Sequence, residues 1–158
     1  MSEPIRPSTV LPALRTPFTV ETEDGQTLIG EVSAPISAPT SAILCCHPNP
    51  TGGGMMDSHI YKKAANRLPA MAGITVIRFN TRGTTSEAGT STGSYDSGRA
   101  EKFDVEAMIR YCFDVVKVKE LWVVGWSFGT SIAISHARDL RDRKSTRLNS
   151  SHVSESRM

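Results

Sequence analysis

One short segment near residue 127 has the residue types of a nucleophile site. Its sequence is Gly125-Trp126-Ser127-Phe128-Gly129, a Gly-x-Ser-x-Gly pattern. A serine hydroxyl attacks a carbonyl carbon only when the chain holds it clear of its surroundings. A sharp strand-to-helix turn does this, at the cost of backbone strain at the serine. Such a turn brings the residues two before and two after the serine together, where only glycine fits. The pattern therefore predicts Ser127 as a catalytic nucleophile, with Gly125 and Gly129 in structural roles.

The residues on both sides of this motif favour a strand before it and a helix after it. The run 121–124 is apolar and β-prone, and small residues recur at helical spacing between Ser131 and Ala137. A helix that begins beside Ser127 would also direct unpaired N–H groups at an anion formed there. Short glycine patterns also occur by chance, but this context favours a nucleophile turn.

With this motif and its flanking elements, the chain resembles the α/β-hydrolase superfamily. The hydrophobic pattern predicts a hairpin first, over 17–32, with Asp24-Gly25 as its turn. After the hairpin, strands and helices alternate, which favours parallel strands joined by right-handed crossovers. The predicted strands are 41–46, 74–79 and one beginning at Leu121, and the predicted helices are 59–68, 98–116 and one running from the nucleophile to about Leu140.

The order of these elements matches the first five strands of the α/β-hydrolase fold. We therefore predict an α/β protein that forms the N-terminal part of this fold. It has an antiparallel hairpin followed by parallel β-α-β-α-β-α units, and the later strands are missing.

The resemblance also implies which groups hold the negative charge that attack by Ser127 creates. In this superfamily one donor is the N–H of the residue after the nucleophile, here Phe128, and the other comes from the loop after the third strand. That loop, 47–54, has the sequence His-Pro-Asn-Pro-Thr-Gly-Gly-Gly, similar to a loop of small bacterial hydrolases. Since proline has no N–H, Asn49 is the predicted donor and the glycines 52–54 are the alternative. Those glycines are also compatible with a flexible loop that has no chemical role.

Four histidines are candidates for the base that takes the proton from the serine. We expect His47 to prop its loop against the sheet, and His59 to lie at the surface where a helix begins. His136 follows Ser127 by nine residues, about 13.5 Å along one helix and on its opposite side, which excludes it as the base. His152 has the right order in the chain but no strand to hold it. The acid and the base of a triad are therefore predicted to be absent.

The last residues differ in composition from the rest of the chain. The stretch 142–158 has no hydrophobic period and almost no apolar residue, so we do not expect it to form the later strands that carry the acid and the histidine in this superfamily. Residues 142–152 and 156–158 also resemble the translation of a sequencing-adapter DNA. We therefore expect a partial α/β-hydrolase domain over 1–141 and a non-native, disordered tail over 142–158.

The composition argues against several other classes of protein. Hydrophobic residues make up 39% of the chain and charged residues 22%, as in ordinary globular proteins. The net charge of +2 arises from 142–158, so nothing in 1–141 indicates a nucleic-acid partner. Neither an export signal nor an apolar run of about 20 residues is present. Three cysteines fit the core of a protein in a reducing compartment, so a cytoplasmic location is expected.

These inferences favour one activity and leave one alternative. The predicted activity is that of a serine hydrolase fragment that cleaves an ester or related acyl bond of a small molecule, inactive as given because the triad is incomplete. Acyltransferases and peptidases share this geometry. The alternative is a non-catalytic binding or scaffold protein that retains the fold. The sequence predicts no metal site and no cofactor, and it does not determine the oligomeric state.

Overall fold

The computed structural model describes residue 6, residues 8–37 and 41–137, and the backbone of 146–148. The strands are β1 (Leu14–Glu21), β2 (Thr27–Ala34), β3 (Ser41–Cys46), β4 (Thr75–Phe79), β5 (Thr85–Ser86), β6 (Gly89–Thr90), β7 (Glu120–Gly125) and β8 (Thr146–Leu148). The helices are α1 (His59–Ala72), α2 (Glu101–Tyr111) and α3 (Phe128–Ile132). One π-helical turn, Cys112–Val116, continues α2, and another, Ala133–Ala137, continues α3.

The main sheet has six strands in the order β1-β2-β4-β3-β7-β8. Strands β1 and β2 form an antiparallel hairpin, and β2 is also antiparallel to β4. Strands β4, β3 and β7 are mutually parallel. The hairpin turns at Gly25, whose φ of 89° favours glycine, and the Thr22 hydroxyl donates to Asp24 in the same turn. The predicted α/β architecture, with an antiparallel start and a parallel continuation, is confirmed.

Alternation along β3 divides the core between the two faces of the sheet. Ala42, Leu44 and Cys46 belong to the larger cluster, which also includes residues of α2 and α3. Cys45 belongs to the smaller cluster beneath α1. Neighbouring cysteines thus point to opposite faces, as the period of two for a strand requires. All three cysteines are free and buried, and burial raises the pKa of each thiol.

The buried face of α1 differs from the one that its sequence pattern predicts. The helical spacing of Ile60, Ala64, Arg67 and Leu68 predicts one apolar stripe. Ile60 is instead 52% exposed, and Tyr61 and Ala65 are buried. The buried hydroxyl of Tyr61 donates to the Cys46 carbonyl in the sheet, so α1 can bury this polar aromatic side chain in place of Ile60. The helix also continues past its predicted end at Leu68 and includes Pro69, because a single proline removes only one hydrogen bond of the helical ladder.

Two buried arginines connect the loops at the carboxyl ends of the strands. Arg82 forms hydrogen bonds from its backbone N–H, Nε and Nη2 to the fully buried carboxylate of Asp104 on α2, and its Nη1 also pairs with Asp24 in the hairpin turn. Arg78 on β4 pairs with Glu31 on β2 and with Asp57 before α1. The Nε of Arg78 has no hydrogen-bond partner among the described residues, but the ion pairs of the two arginines fix the loop positions relative to the sheet.

Strand β8 pairs in parallel with the Leu121–Val123 part of β7. The sequence did not predict this strand, because the stretch has almost no apolar residue and strand pairing uses backbone groups that every sequence carries. The other residues of the predicted tail lie outside the described residues, as does the predicted end of the last helix at Leu140.

Candidate active site

The turn between β7 and α3 has the strained shape predicted for a nucleophile. Ser127 lies between the strand and the helix with φ 57° and ψ −119°, a region that residues other than glycine seldom occupy. A Cβ on Gly125 would lie 2.5 Å from the Gly129 carbonyl oxygen, and one on Gly129 would overlap the carbonyl of Cys46. Both positions therefore require glycine. Gly125 has no room for a side chain because of Gly129, whereas Gly129 has none because of Cys46 on β3.

The two N–H groups predicted to hold an oxyanion have no acceptor within the described part of the chain. Phe128 is the first residue of α3, so its N–H has no partner in the helix. The N–H of Asn49 likewise donates to no other described residue. The two oxygens of Asn49 are hydrogen-bonded. Its side-chain oxygen accepts from the backbone N–H and the hydroxyl of Thr51, and its backbone carbonyl accepts from the Gly54 N–H. The loop is thus held in shape while these two N–H groups stay available.

His47 is fully buried between the rest of its loop, 48–54, and the turn after β4. Its Nε2 accepts from the Thr81 N–H at 3.1 Å, so Nδ1 carries the proton and donates to the Pro48 carbonyl at 2.7 Å. Burial lowers the pKa of this imidazole to about 4. With both ring nitrogens hydrogen-bonded, the side chain holds its loop against the turn after β4.

Ser127 and Asn49 lie on one open cleft of about 390 Å³. That volume is within the range of small-molecule sites. The cleft is bounded by Pro48, Asn49, Gly52, Gly53, Gly54, Met55, Asp57, Ser58, His59, Trp126 and Ser127. Phe128 is not part of this lining, and its side chain instead packs against Tyr95, with ring centroids 5.3 Å apart.

Sequence reasoning missed two side chains that shape this cleft. The Tyr61 hydroxyl donates to the Cys46 carbonyl at 3.0 Å, at the end of β3, and lies 3.5 Å from the Val124 carbonyl on β7. Burial raises the pKa of this phenol far above its ordinary value. Trp126 packs against Tyr61 and against His59. The Gly-x-Ser-x-Gly pattern allows any residue at its second position. The sequence therefore showed an aromatic residue beside the predicted nucleophile but did not predict the contacts of Trp126.

No described histidine or carboxylate forms a hydrogen bond with the Ser127 side chain. His59 lies on the same cleft, and His136 bonds through Nε2 to the Gly98 carbonyl at 2.7 Å. His152 lies outside the described residues. Over 6, 8–37 and 41–137, no group of three or more histidine, cysteine or acidic side chains is placed to hold a metal ion. In that same part of the chain, no helix has the length and apolar character needed to cross a membrane.

The fold of this chain is similar to solved structures of hydrolases. No protein-family model matches the sequence, and no curated protein matches it. A serine hydrolase without a lid from Xanthomonas campestris is 31% identical over 85% of this chain, with a TM-score of 0.69. The chain has the α/β-hydrolase fold. An α/β serine hydrolase homologue from Coxiella burnetii is 30% identical over 84% of the chain, with a TM-score of 0.62.

The α/β-hydrolase likeness extends to more distant structures. An esterase from Pyrococcus furiosus covers 85% of this chain at 22% identity with a TM-score of 0.63, which supports the fold alone. The chain spans 60% of the length of the Xanthomonas and Coxiella proteins and 49% of the Pyrococcus esterase. The Xanthomonas protein is an α/β serine hydrolase and the Coxiella protein a homologue of one, and their likeness supports the α/β-hydrolase superfamily for this chain.

Proposed function

We propose that the protein to which this chain belongs is a serine hydrolase that cleaves an ester or a related acyl bond of a small molecule. The observation that carries the proposal is the positive φ of Ser127, held between two glycines that have no room for a side chain, at the edge of a cleft. Strain of this kind persists only where the surrounding fold imposes it, and it clusters at functional sites. The serine hydrolases among the solved structures support the same reaction class.

In the proposed reaction each group has one role. The Ser127 oxygen attacks the acyl carbon, and its proton passes to a histidine that is not among the described residues. The N–H groups of Phe128 and Asn49 hold the oxyanion of the tetrahedral intermediate. Collapse of the intermediate releases the alcohol, which takes the proton, and water then hydrolyses the acyl-serine. No step needs a metal or a cofactor.

We propose further that the chain as given has almost no hydrolytic activity. In serine hydrolases, removal of the nucleophile or the base costs about 10⁶-fold in turnover. No described histidine forms a hydrogen bond with the Ser127 side chain, so no described residue is in place as its base. The absence of such a bond among the described residues is also the observation that favours the alternative, a binding or scaffold protein that keeps the fold without the chemistry.

Labelling by a fluorophosphonate, with the modified residue identified by mass spectrometry, tests these proposals. In the product of the complete gene we expect labelling at Ser127 and hydrolysis of a short-chain activated ester. Ser127→Ala should abolish both. The matched control is Ser131→Ala, an exposed serine one helical turn later, which should keep both.

The chain as given should show no ester hydrolysis that depends on Ser127. A substantial rate in this chain that Ser127→Ala removes would contradict the proposed inactivity. Unchanged hydrolysis in Ser127→Ala of the complete gene product would reject Ser127 as the nucleophile. Absence of both labelling and hydrolysis in that product would favour the binding protein.

A further inference from the structure

Aromatic side chains form one wall of the cleft beside Ser127. The ring of His59, at the start of α1, lies 5.6 Å from the ring of Trp126 at an interplanar angle of 84°. Both residues line the same cleft as the serine. We call the His59–Trp126 pair the aromatic wall.

The aromatic wall is supported from behind. Tyr61 meets Trp126 edge-on at 6.4 Å and 83°, and the Tyr61 hydroxyl is anchored to the Cys46 carbonyl. The backbone N–H of Trp126 also donates to the Cys46 carbonyl, at 3.3 Å. Trp126 is therefore held by its backbone and by rings on two sides. Tyr61 is buried, whereas Trp126 is half-buried and His59 is exposed, so the wall keeps ring surface available to a molecule in the cleft.

The electrostatics of the cleft favour an uncharged ligand group. Asp57 is the one carboxylate in the lining, and its oxygen pairs with the Arg78 guanidinium at 2.5 Å. Arg78 is itself buried and holds a second carboxylate, Glu31. Because Arg78 is shared with Glu31, it offsets the Asp57 charge only in part, and no described arginine or lysine lines the cleft to attract an anion. The other lining groups are glycine and proline backbone, the Asn49 amide, a thioether, hydroxyls and the two rings.

We propose that the aromatic wall is an aryl-binding subsite for a flat, uncharged aromatic group carried by the substrate ester. The role of the subsite in substrate choice rests on the proposed function, whereas its binding of an aryl group does not. Edge-on and offset stacking of aromatic rings adds about 0.5–1.5 kcal/mol beyond the area buried, which is about a 2- to 13-fold gain in affinity over a saturated ring of similar size.

Fluorescence of Trp126 measures this binding directly. The chain has two tryptophans, and Trp122→Phe leaves Trp126 as the single emitter. The probes are benzamide and cyclohexanecarboxamide, which are both neutral and differ in the ring alone. With excitation at 295 nm we expect saturable quenching by benzamide, with a Kd about 2- to 13-fold lower than that of the saturated amide.

Variants made in the Trp122→Phe background separate the wall from general effects. His59→Ala and His59→Leu remove the facing ring and should abolish the preference for the aryl amide; two variants are used in case one fails to fold. Ile60→Ala is the matched control, since Ile60 is the next residue on α1, is exposed and lies outside the cleft. It should keep the preference.

The outcomes distinguish this inference from the proposed function. Equal affinity for the two amides, no saturable quenching by either, or a preference that survives both His59 variants would overturn the aryl subsite. Loss of the preference in Ile60→Ala would also overturn it. Fluorophosphonate labelling at Ser127 is an independent readout, so the reaction class and the subsite can each fail while the other stands.

Discussion

Acidification should destabilise the protein through His47. The buried imidazole is neutral in the folded protein, and its Nε2 faces the Thr81 N–H. A second ring proton would bind at Nε2, where it would face the Thr81 N–H. Two donors would then oppose each other, and this hydrogen bond would be lost. The same ring forms a hydrogen bond with the Pro48 carbonyl, at the start of the loop 47–54 in which Asn49 is the predicted oxyanion donor. Protonation would therefore disturb both the fold and the predicted site.

The size of the effect follows from the two pKa values of His47. The pKa is lowered to about 4 in the folded protein, from an ordinary value of 6.5. Between these values the unfolded chain binds a proton that the folded chain does not, so the free energy of unfolding falls as the pH falls through this window. The contribution is complete above pH 6.5. About 2.5 pKa units correspond to about 3 kcal/mol, a large share of the roughly 5–15 kcal/mol typical of a domain.

Urea denaturation between pH 7 and pH 4.5 measures this loss, which we expect to be about 2 kcal/mol over that range. His47→Asn removes the titrating group, so the variant should be less stable at pH 7 but lose less on acidification. His59→Gln is the matched control, because His59 is exposed, and it should retain the full pH dependence. An NMR titration of the imidazole protons should place the pKa of His47 well below its ordinary value of 6.5.

Two results would refute the reasoning. One is a His47 resonance that titrates near its ordinary value of 6.5 in the folded protein. The other is an equal loss of stability on acidification in the parent chain and in His47→Asn. Either would mean that the ring reaches water or that Thr81 does not hold it.

Three further changes test the packing around the site. Asp104→Ala should lower the free energy of unfolding in urea by about 3–5 kcal/mol, because it leaves the buried Arg82 without three of its hydrogen bonds; a loss below 1 kcal/mol would contradict this pairing. Gly129→Ala should cost about 1–3 kcal/mol or more, seen as a lower Tm, because its methyl group would overlap the Cys46 carbonyl; an unchanged Tm would contradict the close approach. Tyr61→Phe should cost about 1 kcal/mol, also measured by Tm, for the lost bond to Cys46; a more stable variant would show that the hydroxyl is not satisfied.

The sequence predicted those strands and turns that depend on interactions between residues close together in the chain. Strand β3 has the predicted bounds, since a compact apolar run flanked by loop residues leaves little choice. The hairpin turn and the turn at Ser127 were predictable because glycine marks positions that other residues avoid. The parallel order of β3, β4 and β7 followed from the alternation of strand and helix.

The face that α1 buries was not predictable from its pattern. Tyr61 is buried because the ends of β3 and β7 offer acceptors for its hydroxyl, and Ile60 on the same helix is exposed. Burial of Asp104 was equally hidden, since an acidic side chain in a helix is ordinarily exposed. Its partner Arg82 lies 22 positions away, and only folding brings the two together.

The sequence by itself predicted the strained turn at Ser127, because the Gly-x-Ser-x-Gly pattern that marks it lies within a few adjacent residues, although the close contact that requires glycine at 129 comes from β3. It also determined the strands and the class of fold, through hydrophobic periods that act over short distances. The tertiary structure alone decided what surrounds the serine. The aromatic wall joins His59 to Trp126 across 67 positions, and His47 depends on a backbone donor 34 positions away. Contacts between distant segments depend on how whole elements pack, and no local pattern carries that information.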